Sequence, residues 1–242
     1  MQRNQRMNEF SEQEKLFVSL ADGITNTMLQ LALLSEQGSA ASATSQTERW
    51  QTVHDVSWAS LQLLEGYTLT MRLQGGTAEP ELEPVAVASL LNDTLHLLEP
   101  YAKQMQVSIV LDMPARLQPV ITDRAILQSA LLSLGHVFIT AQSECDAAAK
   151  TVQISAHKGS HGVVAGWYGH GVQLTSQALR RARRLGGWAQ QPYGELLSGP
   201  ASGVFIADSL LSTVSTRLHV ARYHNASGLA ATLPACRQLQ LV

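Results

Sequence analysis

The side chains of this 242-residue chain best suited to chemistry are its 8 histidines, its 2 cysteines and one run of arginines. His136, His157, His161 and His170 would make a metal site if folding brought them together, because neutral imidazole nitrogens are good zinc ligands. Their spacing argues against it. No pair falls as His-x-x-x-His on a helix, and none has the short loops of zinc-binding folds. No metal is therefore expected. His54, beside Asp55, is a lone histidine of the kind that is more often structural than functional. Cys145 and Cys236 offer neither a metal spacing nor a disulfide framework, which suits a reducing compartment. No Gly-x-Ser-x-Gly elbow or triad-like arrangement stands out.

Charge narrows the partners. The formal net charge is -2 and the pI about 6.4, so nucleic acid, which needs a concentrated basic surface, is not expected. The one basic run, Arg180 to Arg184, reads as a solvated helix face. The first ten residues lack an apolar signal core, and no window holds the roughly eighteen uninterrupted apolar residues of a membrane span. A soluble cytoplasmic protein with no membrane association is the expectation.

These residues must be positioned by elements that periodicity predicts. The most patterned stretch is Val120 to Thr140, where Asp123 is an N-cap and Ile126, Leu127, Ala130, Leu131, Leu134, Val137 and Phe138 recur at helical spacing. It reads as a buried helix with His136 near its end. Upstream, Ser11 to Gln37 carries Phe17, Leu20, Ile24, Leu31 and Leu34 on one stripe, opened by a Ser11/Glu14 capping box and closed by Gly38. After the small-residue loop Gly38 to Gln46, a second helix beginning past Thr47 places Trp50, Val53, Ser57, Ser60, Leu64, Tyr67 and Met71 on a stripe and ends at Gly75-Gly76. Two such helices make an antiparallel hairpin. Leu29, Leu33, Leu61 and Leu63 widen its stripes beyond what one hairpin can cover, so a four-helix bundle formed by homodimerisation is expected.

Thr77 to Pro84 is proline-rich and acidic with no period, as a linker is. Beyond it the pattern predicts a helix over Val85 to Gln104, strands at Val107 to Leu111 and Val120-Ile121, and the Asp123 helix. A hairpin of Val152 to Ala156 with Val163 to Trp167 follows, then helices Thr175 to Leu185 and Phe205 to Val214, then strands Arg217 to Tyr223 and Gly228 to Leu233. The fold class is therefore α+β: a helical hairpin domain over 1–76, a linker over 77–84, and a two-layer α/β sandwich over 85–242.

This order of elements, with particular residues in it, resembles the core of a sensor histidine kinase: a dimerising phosphotransfer hairpin followed by an ATP-binding domain of the type shared with gyrase and the Hsp90 chaperones. Asp123, Arg124, Leu127 and Gln128 resemble the family's lead into its asparagine-bearing helix. Gly169-x-Gly171-Val172 matches the end of its Asp-x-Gly-x-Gly-Ile loop. Gly199 and Gly203 resemble its second glycine-rich box, and Gly228 through Leu233-Pro234 is similar to its terminal Gly-x-x-Phe-x-x-x-Leu-Pro strand. The resemblance spans about Ser11 to Pro234. It implies that Gly186 to Gly203 takes the place of the lid over the nucleotide, with Trp188 and Tyr193 available either to anchor a partner or to fill the pocket.

The departures fall on the chemistry. The asparagine that holds Mg²⁺, a cation that demands hard oxygen ligands, falls on His136, and the asparagine before it falls on Leu132. The aspartate that accepts the adenine amino proton falls on Trp167, whose indole N–H is a donor only. The phosphoacceptor histidine falls on Asp22, or on Gly23 with a one-residue slip. His54 lies on the other arm of the hairpin. The resemblance therefore implies a degenerate, pseudokinase-like member with ATP and Mg²⁺ binding lost, acting as a dimeric regulator or adaptor in two-component signalling and docking a response-regulator receiver domain on its bundle. Two alternatives stay open: a histidine phosphotransferase relaying phosphate through His54, and a dimeric scaffold unrelated to phosphorelay.

Overall fold

The structure is a computed structural model that describes residues 43–145, 150–170, 176–185 and 202–236. The helix expected over Ser11 to Gln37, with Asp22 and Gly23, lies outside the described residues, as do Gly171, Gly199, Trp188 and Tyr193. Helix α1 (Ala43–Gln74) leads through strand β1 (Glu83–Val85) to α2 (Val87–Gln104), β2 (Ser108–Asp112), β3 (Val120–Thr122) and α3 (Arg124–Glu144). The hairpin β4 (Thr151–Gly159) and β5 (Gly162–Gly169) comes next, then α4 (Ser176–Leu185), α5 (Ser202–Thr213), β6 (Leu218–Tyr223) and β7 (Ala226–Leu233).

Helix α3 is the centre of the helical layer. It starts where the sequence places its cap: the Asp123 carboxylate accepts from the Ile126 amide at 3.0 Å, satisfying one of the amides a helix N-terminus leaves without a partner. Its residues from Ala130 to Ile139 are all buried. A helix apolar on every side must be covered on every side, and α3 packs against α1, α2 and α5 and against the inner face of β4 and β5.

The sheet runs in the order β2-β4-β5-β7-β6, parallel between β2 and β4 and antiparallel elsewhere. Period-two alternation sends Val152, Ile154 and Ala156 of β4 and Val163, Ala165 and Trp167 of β5 to the helices. Leu229, Ala231 and Leu233 of β7 join them, and one core results. The α/β sandwich expected from the sequence is present.

Four boundaries differ. Glu83 and Pro84, expected at the end of the linker, form β1 with Val85 and pair antiparallel with β3, Val85 opposite Val120. Val85 is thereby withdrawn from the helix expected to begin there, which starts at Val87. Proline is tolerated in a strand at such an edge, where its missing N–H breaks no ladder. Helix α1 begins at Ala43, inside the expected loop, and α5 begins at Ser202 and so takes in Gly203, expected to end the lid.

Helix α1 packs onto the sandwich. Near its C-terminal end Tyr67 and Thr70 are buried, Tyr67 joins the core of the sandwich, and Gly66 lies against Ser129 and Ser133 of α3 and Ile206 of α5. Farther back its apolar residues emerge: Trp50, Trp58 and Leu61 are exposed.

Candidate functional site

Of the positions that the resemblance assigns to nucleotide and metal, the described ones, Leu132, His136, Trp167, Gly169 and Gly203, lie on α3, β5 and α5, and β5 and α5 each pack on α3. On β5, Trp167 is wholly buried, and its indole N–H donates to the Leu131 carbonyl of α3 at 2.9 Å. A carboxylate at this point of the strand would accept a proton. The indole gives one, and gives it to the protein's own backbone.

Trp167 fits because α3 carries a glycine above it. A methyl group on Gly135 would lie 2.8 Å from Trp167 Cζ2 and 2.3 Å from Leu98 Cδ1, both well inside van der Waals contact. Helical glycine costs about 1 kcal/mol relative to alanine, and here the missing side chain is the space that the indole and Leu98 occupy. Sequence reading passed over Gly135. A single glycine within a long apolar helical run is the signal that could have found it.

One residue on, His136 turns away from Trp167 and sets its ring edge-on to Tyr101 of α2, with centroids 4.8 Å apart. The Tyr101 hydroxyl and Thr140 Oγ1 share a hydrogen bond of 2.8 Å. Burial lowers the His136 pKa to about 4, so the ring is neutral at pH 7, and its Nε2 is buried without a hydrogen-bond partner. Burial likewise pushes the Tyr101 phenol up, eased by the Thr140 bond and raised again by Glu144. A neutral imidazole facing an aromatic ring, with Leu132 one turn earlier, supplies none of the oxygen ligands that Mg²⁺ requires. Neither His136 nor Leu132 offers the hard oxygen that Mg²⁺ requires, and the Trp167 indole offers a donor where the family's aspartate is an acceptor.

Gly203 serves packing. A methyl group there would meet Val137 Cγ2 at 2.6 Å and the Ser133 carbonyl at 2.8 Å, so its bare Cα is where α5 closes onto α3. Ser133, between Leu132 and His136, is almost wholly buried under α5 and α1, with its hydroxyl turned back to the Ser129 carbonyl at 2.8 Å. Gly169 ends β5, buried, and His170 beyond it is exposed.

The four histidines weighed as metal ligands are dispersed. His136 is on α3, and His157 stacks on Tyr223 at 4.8 Å on the outer face of the sheet. His161 is in the β4–β5 turn and His170 is at the far end of β5. Among the described residues no three His, Cys, Asp or Glu side chains form a group able to hold a metal ion. His54 is exposed on α1 and, with Trp58, faces His96 and Tyr101 of α2 and His136 of α3 across a cavity of about 300 Å³. That His54 and His136 share a cavity is not legible in the sequence, because nothing local specifies how α1 docks on α2.

No family model matches this sequence, and no curated protein matches it. Solved structures do. The Acinetobacter baumannii histidine kinase AdeS superposes with a TM-score of 0.54 at 12% identity, covering 89% of this chain and 96% of that one. ShkA, solved at full length with AMPPNP, gives a TM-score of 0.56 at 17% identity over 94% of this chain, which spans about half of it, 47%. Identities this low speak for architecture and leave chemistry to the residues. The chain has the fold of the histidine kinases.

Proposed function

We propose that this protein is a catalytically silent histidine-kinase-like component of two-component signal transduction, a dimeric regulator or adaptor that does not autophosphorylate with ATP. The observation that carries the reading is Trp167, which holds the place of the adenine-accepting carboxylate and spends its one polar group on the Leu131 carbonyl. Phosphoryl transfer rests on positioning the γ-phosphate with metal and charge. His136, neutral and turned to Tyr101, and Gly203, packed on α3, support the loss of both. No ATP or Mg²⁺ cofactor is expected, and the setting is cytoplasmic.

On this reading the working surface is the helical hairpin. Trp50, Trp58 and Leu61 expose apolar area along α1, which suits the dimer seam of a four-helix bundle and, beside it, the docking of a response-regulator receiver domain. Calorimetric titration with ATP and Mg²⁺ tests the central claim. No saturable heat is expected, and micromolar binding would end it.

A second reading has one observation in its favour. His54 is exposed on α1 and lines a cavity with His96, and on this reading the protein would relay phosphate as a histidine phosphotransferase. Incubation with a phosphorylated receiver domain separates the two. Acid-labile label that is absent from His54→Gln favours the relay, and no transfer favours the adaptor.

A further inference from the structure

The cationic side chains of this chain are unevenly satisfied. Arg124 pairs with Asp93 at 2.6 Å, and Arg183 with Asp208 at 2.6 Å. Arg116, Lys158 and His161 make no ion pair among the described residues, yet all three line one cavity of about 670 Å³. It opens between the β2–β3 loop, the β4–β5 turn and the residues that follow β7. Gln118 and Ser160 add polar groups, and among the described residues no carboxylate lines it. In a protein of formal net charge -2 the overall field repels anions, so an arginine and a lysine without ion-pair partners, lining one cavity with a histidine, are a local feature that background charge does not explain.

The frame around them is tied by backbone. The Ile121 amide donates to the Pro234 carbonyl at 3.0 Å, and the Cys236 amide to the Pro119 carbonyl at 2.7 Å. Gly162 adopts φ 143, and a methyl group on it would stand 2.0 Å from the Leu233 carbonyl oxygen. The β4–β5 turn, which carries His161 and follows Lys158 at the end of β4, is thus held against the end of β7 by a contact only glycine permits. Arg116, in the β2–β3 loop, lines the same cavity.

We propose that this cavity binds a small phosphorylated molecule, with the phosphate oxygens taken up by Arg116, Lys158 and His161. A guanidinium fork beside an ammonium group matches a multiply charged tetrahedral oxyanion better than a single carboxylate. A concave space of this volume lies in the range of small-ligand sites and is unlike the flat surface offered to a protein. The site is separate from Trp167 and its neighbours. Gly162 and Gly169 mark opposite ends of β5, roughly 23 Å apart at about 3.3 Å per residue.

Calorimetry with inorganic pyrophosphate on the full chain at low salt tests it. One saturable site is expected, weakened about tenfold by Arg116→Ala or Lys158→Ala and weakened as salt rises. Amide shift mapping of the unmutated protein is the independent measurement. Pyrophosphate should perturb Lys158 to Val163 and Cys236 and leave α3 still. Absence of binding overturns the proposal, as does binding that ignores both substitutions or shifts that gather on α3 and α5.

Discussion

Replacing Trp167 by alanine probes the reasoning about the site most directly. The side chain is wholly buried, lies under Gly135 and donates its one polar hydrogen to the Leu131 carbonyl. A tryptophan buries roughly 200 Å², and at about 25 cal/mol per Å² its removal loses up to about 5 kcal/mol. Measured Phe and Trp truncations in cores cost about 3–5 kcal/mol. The Leu131 carbonyl sits in a helix and keeps its main-chain partner, so the lost hydrogen bond adds little. Against a total stability of roughly 5–15 kcal/mol the variant should still fold.

What it leaves is an apolar hole of indole shape, roofed by a helix whose glycine cannot fill it. Such cavities stay dry and accept apolar guests. Indole at ten times its dissociation constant should return about 1.4 kcal/mol, or roughly 3–5 °C in Tm for a domain of this size. Urea denaturation followed by circular dichroism gives the cost, and thermal melts with and without indole give the rescue. The unmutated protein, whose site is full, should show no indole shift. A cost below about 1 kcal/mol, or equal indole shifts in both proteins, would refute the placement of Trp167.

Three other perturbations follow from the same geometry. Gly203→Ala should destabilise by about 1–2 kcal/mol in urea despite alanine's helix propensity, because its methyl must push against Val137 and the rigid Ser133 carbonyl. Asp208→Ala should cost about 2–4 kcal/mol, since Arg183 loses bonds of 2.7 and 2.6 Å and the Leu218 amide loses one of 3.1 Å. His136 makes stability pH-dependent: its folded pKa of about 4 lies below the ordinary 6.5, so below pH 6.5 the unfolded chain takes the proton first. Full stability is present above pH 6.5, and about 3 kcal/mol is lost as the pH falls towards 4. His136→Leu should flatten that slope in urea titrations across the window, and an unchanged slope would sink the assignment.

How much of this was legible in the sequence depends on how local its causes are. The Asp123 cap, the β4–β5 hairpin and the α3 core face were readable because they depend on neighbours a few residues away. The end of the linker was misread because β1 exists only through pairing with β3, and that partner lies 35 or more positions on. The motif resemblance points to His136, yet its surroundings were not foreseeable. Tyr101, which it meets, is on another helix, and His54, with which it shares a cavity, is on a third. Closure of the outer sheet face was equally invisible. β2 and β6 are opposite edges of the sheet, but Asp112 lies 3.4 Å from His224 after β6, which only strong coiling of the sheet allows.

Gly135 and Trp167 are best understood as one feature. An indole on β5 cannot coexist with any side chain at position 135, since even a methyl group would lie 2.8 Å from it. A small residue at Trp167, conversely, would leave Gly135 above a void that neither helix nor strand can close. Each residue is unfavourable without the other, and together they make this part of the molecule core. Gly203 and Gly66 extend the same device, letting α5 and α1 close over Ser133 between Leu132 and His136. On the reading proposed above, restoring a single polar residue cannot restore a nucleotide site. A carboxylate at Trp167 would be buried without a partner under a helix that still lacks metal ligands, at a cost of several kcal/mol. On that reading the fold's stability depends on packing that stands where the pocket would be.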